Sequence, residues 1–281
     1  MSTSKNLSNN AHAKHHPTVL TIAGSDPSGG AGIQADLKTF TAAGVYGASV
    51  ITALTAQNTR TVAAAMPIPA DFVKQQLDSI FDDIRIDVIK LGMLPNADIC
   101  KAIAPYLNGC PVVCDPVMIS TSGCSLIDEP AVAALIEYII PQSDYLTPNY
   151  DELKALYGKE LKNITTAGRD LLERFEKLSG IILKGGHIDT DKSTVTDILL
   201  LKDSNRVAEI VESNPRYHTK NTHGTGCTFA SAFAAYLAQK SDPAEAFRKA
   251  VVFTSHLIDL SKDIQIGHGN GPLLHHLHHE R

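Results

Sequence analysis

The hexapeptide His223-Gly224-Thr225-Gly226-Cys227-Thr228 runs straight into Phe229-Ala230-Ser231-Ala232-Phe233, a glycine-rich turn feeding a helix of small residues. The first turn of a helix carries unpaired N–H groups and partial positive charge. Glycines ahead of it let the backbone wrap an anion with no Cβ in the way. A thiol in that turn has its thiolate favoured, so Cys227 is a candidate base at the lip of an anion hole made by Gly224, Thr225 and Gly226. The alternative for the same six residues is an ordinary helix start, with glycine and threonine capping and cysteine packing. Other polar segments also carry reactive side chains beside Gly or Pro: Thr55-Ala56-Gln57-Asn58, Asp115-Pro116-Val117-Met118, Thr147-Pro148-Asn149-Tyr150-Asp151-Glu152 and Lys184-Gly185-Gly186-His187.

Each of these follows a short apolar run. Thr18-Val19-Leu20-Thr21-Ile22-Ala23 reads as a buried strand, and Ile33, Leu37 and Phe40 then recur at helical spacing until Gly44. Strand-like runs follow at 48–54, 88–91, 112–114, 145–146, 181–183, 197–201 and 207–211, with helices expected at about 69–81 and 129–139 and two more at the end. The alternation predicts an α/β fold: a mostly parallel central sheet with helices on both faces. Ligands then gather beyond the carboxyl ends of the strands, where the polar segments sit, so one rim is expected to hold them all.

Composition narrows the classes. The chain has 281 residues, 43% hydrophobic, with a net charge of −5 and no long basic run, which recommends neither nucleic acid nor an anionic membrane as partner. No apolar stretch is long enough to span a bilayer. The five cysteines form no CxxC pair, which fits a reducing cytoplasm. Residues 1–16 lack the apolar block of a secretory signal and are read as a disordered leader, 17–266 as one α/β domain, and 267–281 as a His-rich solvated tail. In that tail His275, His276, His278 and His279 have helical spacing, so a metal site is the alternative.

Two nucleotide-binding signatures bear on this chain. There is no GxxxxGK[ST]. Gly30-Ala31-Gly32-Ile33-Gln34-Ala35 does satisfy GxGxxA after a strand, but a nicotinamide cofactor also needs an acid about 20 residues on, and none lies between Asp36 and Asp71. Arg60, the remaining candidate for a phosphorylated ribose, comes late.

Together the segments resemble the hydroxymethylpyrimidine and phosphomethylpyrimidine kinases of thiamine biosynthesis, in the ribokinase-like superfamily. The resemblance rests on the block 23–36, on Thr52-Ala53-Leu54-Thr55-Ala56-Gln57-Asn58-Thr59, on Lys90-Leu91-Gly92-Met93-Leu94, and on the segments at 115, 147, 184 and 222–228. It implies a single-domain ribokinase-like sandwich that uses ATP and Mg2+ to phosphorylate 4-amino-5-hydroxymethyl-2-methylpyrimidine twice. By the same resemblance Cys227 is the base, Gln57, Asp36, Gly24, Ala31, Met93 and Val117 surround the pyrimidine, Lys184, Gly185, Asn149 and Glu152 border the nucleotide, Glu152 and Asp115 face the metal, and the molecule is a homodimer. Asn149 and Glu152 read otherwise as a helix cap with acids in the first turn, and Asp36 as an acid favouring a helix dipole. Pyridoxal is the alternative substrate within the superfamily, and a nicotinamide-binding protein the alternative from another class.

Overall fold

The apolar run after Pro17 forms β1 (Thr18–Ser25) in the computed structural model, which describes residues 15–119, 126–186, 193–203 and 206–278. A glycine-rich loop leads into α1 (Gly32–Ala42), which returns the chain to β2 (Tyr46–Gln57) and the antiparallel β3 (Val62–Pro67). There follow α2 (Ala70–Asp83), β4 (Val88–Leu91), α3 (Ala97–Ile103), β5 (Val112–Cys114), and α4 (Glu129–Ala134), which continues as a π-helical turn over Leu135–Ile139. Then come β6 (Tyr145–Leu146), α5 (Tyr150–Tyr157), α6 (Ile164–Arg174), β7 (Gly180–Leu183), β8 (Thr194–Asp203), β9 (Arg206–Pro215), α7 (Thr225–Ala238) and α8 (Pro243–Ser261).

The strands make one sheet in the order β3-β2-β1-β4-β5-β6-β7-β8-β9. The six from β2 to β7 in that order are mutually parallel, and antiparallel pairs finish both edges. Because side chains alternate across a strand, each strand feeds two cores. Leu20, Ile22, Ile89 and Leu91 pack against α2 to α6, whereas Val19, Val88, Val113 and Ile182 pack against α1, α7 and α8. By the same alternation Thr21 and Lys90, which are register partners, point toward α1 and α7. The α/β expectation with helices on both faces therefore holds.

The β3 hairpin was not expected. Its residues Ala63, Ala64, Ala65 and Met66 are exposed and lack the apolar alternation that marks a half-buried strand, so hydropathy gives no signal for it. It forms because β2 runs beyond its neighbours and its outer backbone groups take a partner.

The solvated tail needs correction over part of its length. Leu273, Leu274 and His275 are buried, and Leu273 belongs to the core between the sheet and α1, α7 and α8. Burial pushes the His275 imidazolium down to about 4, so the ring is neutral at pH 7. Nδ1 lies 3.1 Å from the Leu273 carbonyl, which can only accept, so Nδ1 holds the proton and the Thr228 hydroxyl donates to Nε2 at 3.0 Å. His279 and residues 1–14 of the expected leader lie outside the described residues. Among the described residues no cluster of three or more His, Cys, Asp or Glu is placed to hold a metal.

A solvated tail would tolerate truncation of Leu273. The packing seen here predicts instead that Leu273→Ala lowers stability by about 2–5 kcal/mol in chemical denaturation, the range for a buried leucine.

Candidate active site

One cavity of about 680 Å³ opens at the carboxyl ends of the parallel strands. The sheet order arranges its wall: Gln57 at the end of β2, Gly24 near the end of β1 and Ala31 after it, Met93 after β4, Asp115 and Val117 after β5, Asn149 and Glu152 after β6, and Lys184 after β7. Gly224, Thr225, Gly226 and Cys227 at the start of α7 line the same space. The single rim expected from the sequence is thus present over these residues, while His187 lies outside the described residues.

Two glycine turns meet backbone to backbone to build it. Gly224 has φ +79°, and a Cβ there would stand 1.8 Å from the Gly30 carbonyl oxygen. A Cβ on Gly30 would fall 2.2 Å from the His223 ring, and one on Gly32 (φ +57°) 2.3 Å from the Gly24 carbonyl oxygen. Asp26 fixes the loop from inside. Its carboxylate accepts the N–H groups of Ser28 (2.8 Å), Gly30 (3.2 Å) and Ala31 (2.9 Å) and pairs with His223 Nε2 at 2.8 Å. Burial pushes the Asp26 carboxyl up, but the His223 and Ser28 hydrogen bonds outweigh it and leave it lowered. The GxGxxA stretch therefore does not offer its glycine face to a pyrophosphate; the His223 ring fills that face.

The anion hole is narrower than its sequence suggests. The Thr225 N–H turns back to the Thr222 carbonyl at 3.2 Å, and the Thr228 N–H to the Gly224 carbonyl at 2.8 Å. Among the described residues the N–H groups of Gly226 and Cys227 have no protein partner, so these two are the ones left to hold an anion. Lys184 faces them: a Cβ on Gly226 would lie 3.3 Å from its Nζ.

Asp36 and Gly185 do not line the cavity. Asp36, expected on the substrate, is wholly buried in α1, where Oδ1 takes Lys90 (2.9 Å) and Ser231 (2.7 Å) and Oδ2 takes Thr21 (2.6 Å) and Lys90 (3.0 Å). It reaches the site only through Lys90, an equally buried ammonium that touches the cavity wall. Burial disfavours the Lys90 charge, and Asp36 more than restores it. Gly185 acts through its backbone, donating to Asp197 at 2.8 Å where a Cβ would meet the Thr196 carbonyl oxygen at 1.9 Å.

The thiol expectation is also corrected. The helix start alone does not make Cys227 a thiolate: burial pushes it up to about 11, Lys90 and the Gly32 N–H pull it down, and Asp36 and Asp115 oppose them.

Asp115 and Glu152 bracket Lys184, whose Nζ is 2.7 Å from Asp115 and 3.7 Å from Glu152. Burial, more than offset by Lys184 and Lys90, leaves Asp115 lowered. Glu152 is instead pushed up to about 7, by burial and by Asp115, with Lys184 only partly compensating. Two carboxylates against one ammonium leave this corner short of positive charge. Asn149 and Glu152 also form a reciprocal helix cap for α5: the Asn149 N–H donates to Glu152 Oε2 (2.7 Å) and the Glu152 N–H to Asn149 Oδ1 (2.9 Å). The capping alternative is therefore present together with a place on the cavity wall.

Lys90, Asp26, His223 and Asp197 also line the cavity, beyond the site residues expected from the sequence. A lysine inside the four-residue buried strand Val88-Ile89-Lys90-Leu91 was the available signal for the first, since buried lysines occur almost only when paired.

The phosphomethylpyrimidine kinase family model matches residues 26–274. The hydroxymethylpyrimidine/phosphomethylpyrimidine kinase of Escherichia coli is 44% identical over 92% of this chain and 97% of its own length. The thiamine biosynthetic bifunctional enzyme of Arabidopsis thaliana is 41% identical over 98% of this chain and 53% of its own. Among solved structures, a phosphomethylpyrimidine kinase of Clostridium difficile superposes with a TM-score of 0.73 at 38% identity, over 86% of this chain and 99% of that one. The pyridoxal kinase of Staphylococcus aureus, in complex with AMP-PCP and pyridoxal, gives 0.79 at 31% identity over 93% and 94%.

The buried pair makes a paired prediction. Lys90→Met leaves the Asp36 carboxylate uncompensated and should lower stability by about 3–5 kcal/mol in urea denaturation, while Lys90→Met with Asp36→Leu should recover most of that. A Lys90→Met protein as stable as the parent would contradict the assignment. For the thiol, iodoacetamide labelling followed at Cys227 by peptide mass spectrometry should be slow at pH 7 and rise roughly tenfold per pH unit up to about pH 10. A plateau already reached at neutral pH would mean a standing thiolate.

Proposed function

The chain belongs to the phosphomethylpyrimidine kinase family, and from that premise we propose how its cavity performs the family's chemistry. The reaction is transfer of the γ-phosphoryl of ATP to the hydroxymethyl group of 4-amino-5-hydroxymethyl-2-methylpyrimidine, then of a second phosphoryl to the monophosphate, in thiamine biosynthesis. One observation carries the assignment of roles: the unpaired N–H groups of Gly226 and Cys227 and the amide of Gln57 line the same cavity.

Phosphoryl transfer passes through a loose transition state, so the protein's work is positioning and charge neutralisation. The Gly226 and Cys227 N–H groups receive an equatorial oxygen of the migrating phosphoryl, and the Lys184 ammonium opposite them neutralises its charge. Gln57 pairs with the aminopyrimidine edge, for which an amide supplies both donor and acceptor, and Met93 and Val117 wall the ring. Gly24 and Ala31 complete that subsite through the loop that Asp26 holds. Asn149 and Lys184 border the phosphates of the nucleotide, and Gly185 keeps the turn that carries Lys184 tight against β8.

Mg2+ bound with the nucleotide would be held by Asp115 and Glu152, with water and phosphate oxygens completing its shell, and would supply charge neutralisation along the phosphates. The charge-short corner around Glu152 fits that donor set. Lys90, the Gly32 N–H and the start of α7 all favour the thiolate of Cys227, the form that can take the proton of the attacking hydroxyl. In a loose transition state that proton leaves late, when it is most acidic, so the small thiolate fraction present near neutral pH suffices.

Among the described residues no helix is long and apolar enough to cross a membrane. The reading includes a cytoplasmic homodimer, as the family resemblance implies. A pyridoxal kinase is the second reading, favoured by the superposition on the S. aureus pyridoxal kinase.

With purified protein, ATP and Mg2+, the pyrimidine alcohol should give a higher kcat/KM than pyridoxal, as measured by coupled ADP release. Faster turnover of pyridoxal would overturn the preference. Cys227→Ser should cut kcat by roughly 10²-fold or more, the range for loss of a general base; near-normal kcat would remove the thiol from the mechanism.

A further inference from the structure

The segment after α8 touches three parts of the substrate end of the cavity: the β2–β3 turn, the first glycine loop and the start of α7. Its Gly269 N–H donates to Thr59 Oγ1 at 3.1 Å, and its Asn270 N–H to the Thr59 carbonyl at 2.8 Å. Thr59 lies two residues beyond Gln57, in the turn between β2 and β3. One residue further along, the Gly271 carbonyl accepts the His223 N–H at 3.0 Å, and Pro272 forms a β-bridge with His223. Pro272 also abuts the first glycine loop, since a Cβ on Gly30 would stand 3.1 Å from its own Cβ. At the far end His275 takes the Thr228 hydroxyl in the opening turn of α7. The fit around Thr59 is close: a Cβ on Gly269 would lie 2.0 Å from the Thr59 carbonyl oxygen, and one on Gly267 2.4 Å from Thr59 Oγ1. Asn221 anchors the start of the connector by donating to the carbonyls of Ser261 (2.6 Å) and Ile264 (2.7 Å).

We infer that residues 267–275 are the frame that fixes the β2–β3 hairpin, the first glycine loop and the start of α7 relative to one another, and that Thr59 is a positioning residue which sets Gln57 through that frame. The hairpin needs such a support. β2 extends past its parallel neighbours and β3 is exposed; this segment holds the turn at Thr59, while Thr55 Oγ1 donates to the Ser25 carbonyl at 3.0 Å and the Gln57 amide lies 3.3 Å from His223 Nε2. A looser tip would shift the backbone of Gln57 and stretch its 3.3 Å contact with His223, moving the amide relative to the Gly226 and Cys227 N–H groups, and transfer rates fall steeply with small misplacements. The inference rests on the reading of Gln57 as the pyrimidine contact, and it goes beyond that reading by giving a role to a segment whose composition suggested only a solvated tail.

The test compares Thr59→Val, which keeps the shape and loses the hydroxyl, with Thr59→Ser, which keeps the hydroxyl, and with Gln57→Leu. KM for the pyrimidine alcohol, KM for ATP, kcat and melting temperature are measured for each. Thr59→Val should raise the pyrimidine KM by roughly 5–10-fold, as for one lost hydrogen bond, with the ATP KM within about twofold of the parent and Thr59→Ser close to the parent. If Gln57→Leu raises the pyrimidine KM and Thr59→Val does not, the frame is overturned while the Gln57 contact stands. If Thr59→Val raises it and Gln57→Leu does not, the frame stands and the substrate contact lies elsewhere on the hairpin. Equal rises in both KM values for Thr59→Val, without rescue by serine, would mean general loosening and would overturn the positioning role.

Discussion

The site depends on one close approach: the Gly30 carbonyl oxygen occupies the place where any side chain at position 224 would begin. Only glycine, at φ +79°, lets the start of α7 come this near to the β1–α1 loop. Three side-chain contacts close the same seam, Asp26 with His223, Asp36 with Ser231, and the Gly32 N–H with the Cys227 sulfur. They join residues roughly two hundred positions apart in the chain, and the anion hole and the substrate loop become two sides of one cavity. Without the seam, α7 would still pack its small residues on the sheet, but its first turn would face solvent.

Charge is the second organising constraint. Asp36, Asp115, Glu152 and Asp197 are all buried or nearly so around two ammonium groups, Lys90 and Lys184. Lys90 is fully matched by Asp36, so that pair belongs to the frame and lends the thiol only a modest field. Lys184 is shared between two acids, and Glu152, pushed up by burial and by Asp115, is only partly compensated by it. The proposed binding of nucleotide together with Mg2+ accords with this arrangement: phosphates alone would add negative charge beside carboxylates, and Mg2+ alone would lack the phosphate oxygens it prefers. Burial first, and then Asp36 and Asp115, keep Cys227 protonated near neutral pH, against the pull of Lys90 and the Gly32 N–H.

The parallel sheet was legible because each strand announces itself as a short apolar run ending in Gly, Pro or a polar residue. The residues that end those runs, Gly24, Asp115, Asn149 and Lys184, are also the ones on the cavity wall. The parts that could not be read are those fixed by contacts across the chain. Asp36 sits in a helix like any dipole-favouring acid, and only the fold brings Lys90, Thr21 and Ser231 to it. Thr225 belongs to the glycine turn, yet its N–H folds back on Thr222, which no local pattern reveals. The alanine-rich β3 has no hydropathic signature, and the stretch 267–275 hides two buried leucines and a buried histidine among glycines and exposed histidines. In the last two cases composition pointed to solvent, and a partner distant in sequence decided otherwise.

In this reading the two N–H groups at the start of α7 and the Gln57 amide at the end of β2 hold the two reacting partners at once, the phosphoryl group of the nucleotide and the pyrimidine ring. A crystal structure with the pyrimidine alcohol and a non-hydrolysable ATP analogue tests it most directly. The account predicts a γ-phosphate oxygen within hydrogen-bond reach of the Gly226 and Cys227 N–H groups, the ring on Gln57, and the hydroxymethyl oxygen about 3–3.5 Å from the γ-phosphorus. A γ-phosphate bound away from those N–H groups, or a pyrimidine that leaves Gln57 untouched, would contradict it.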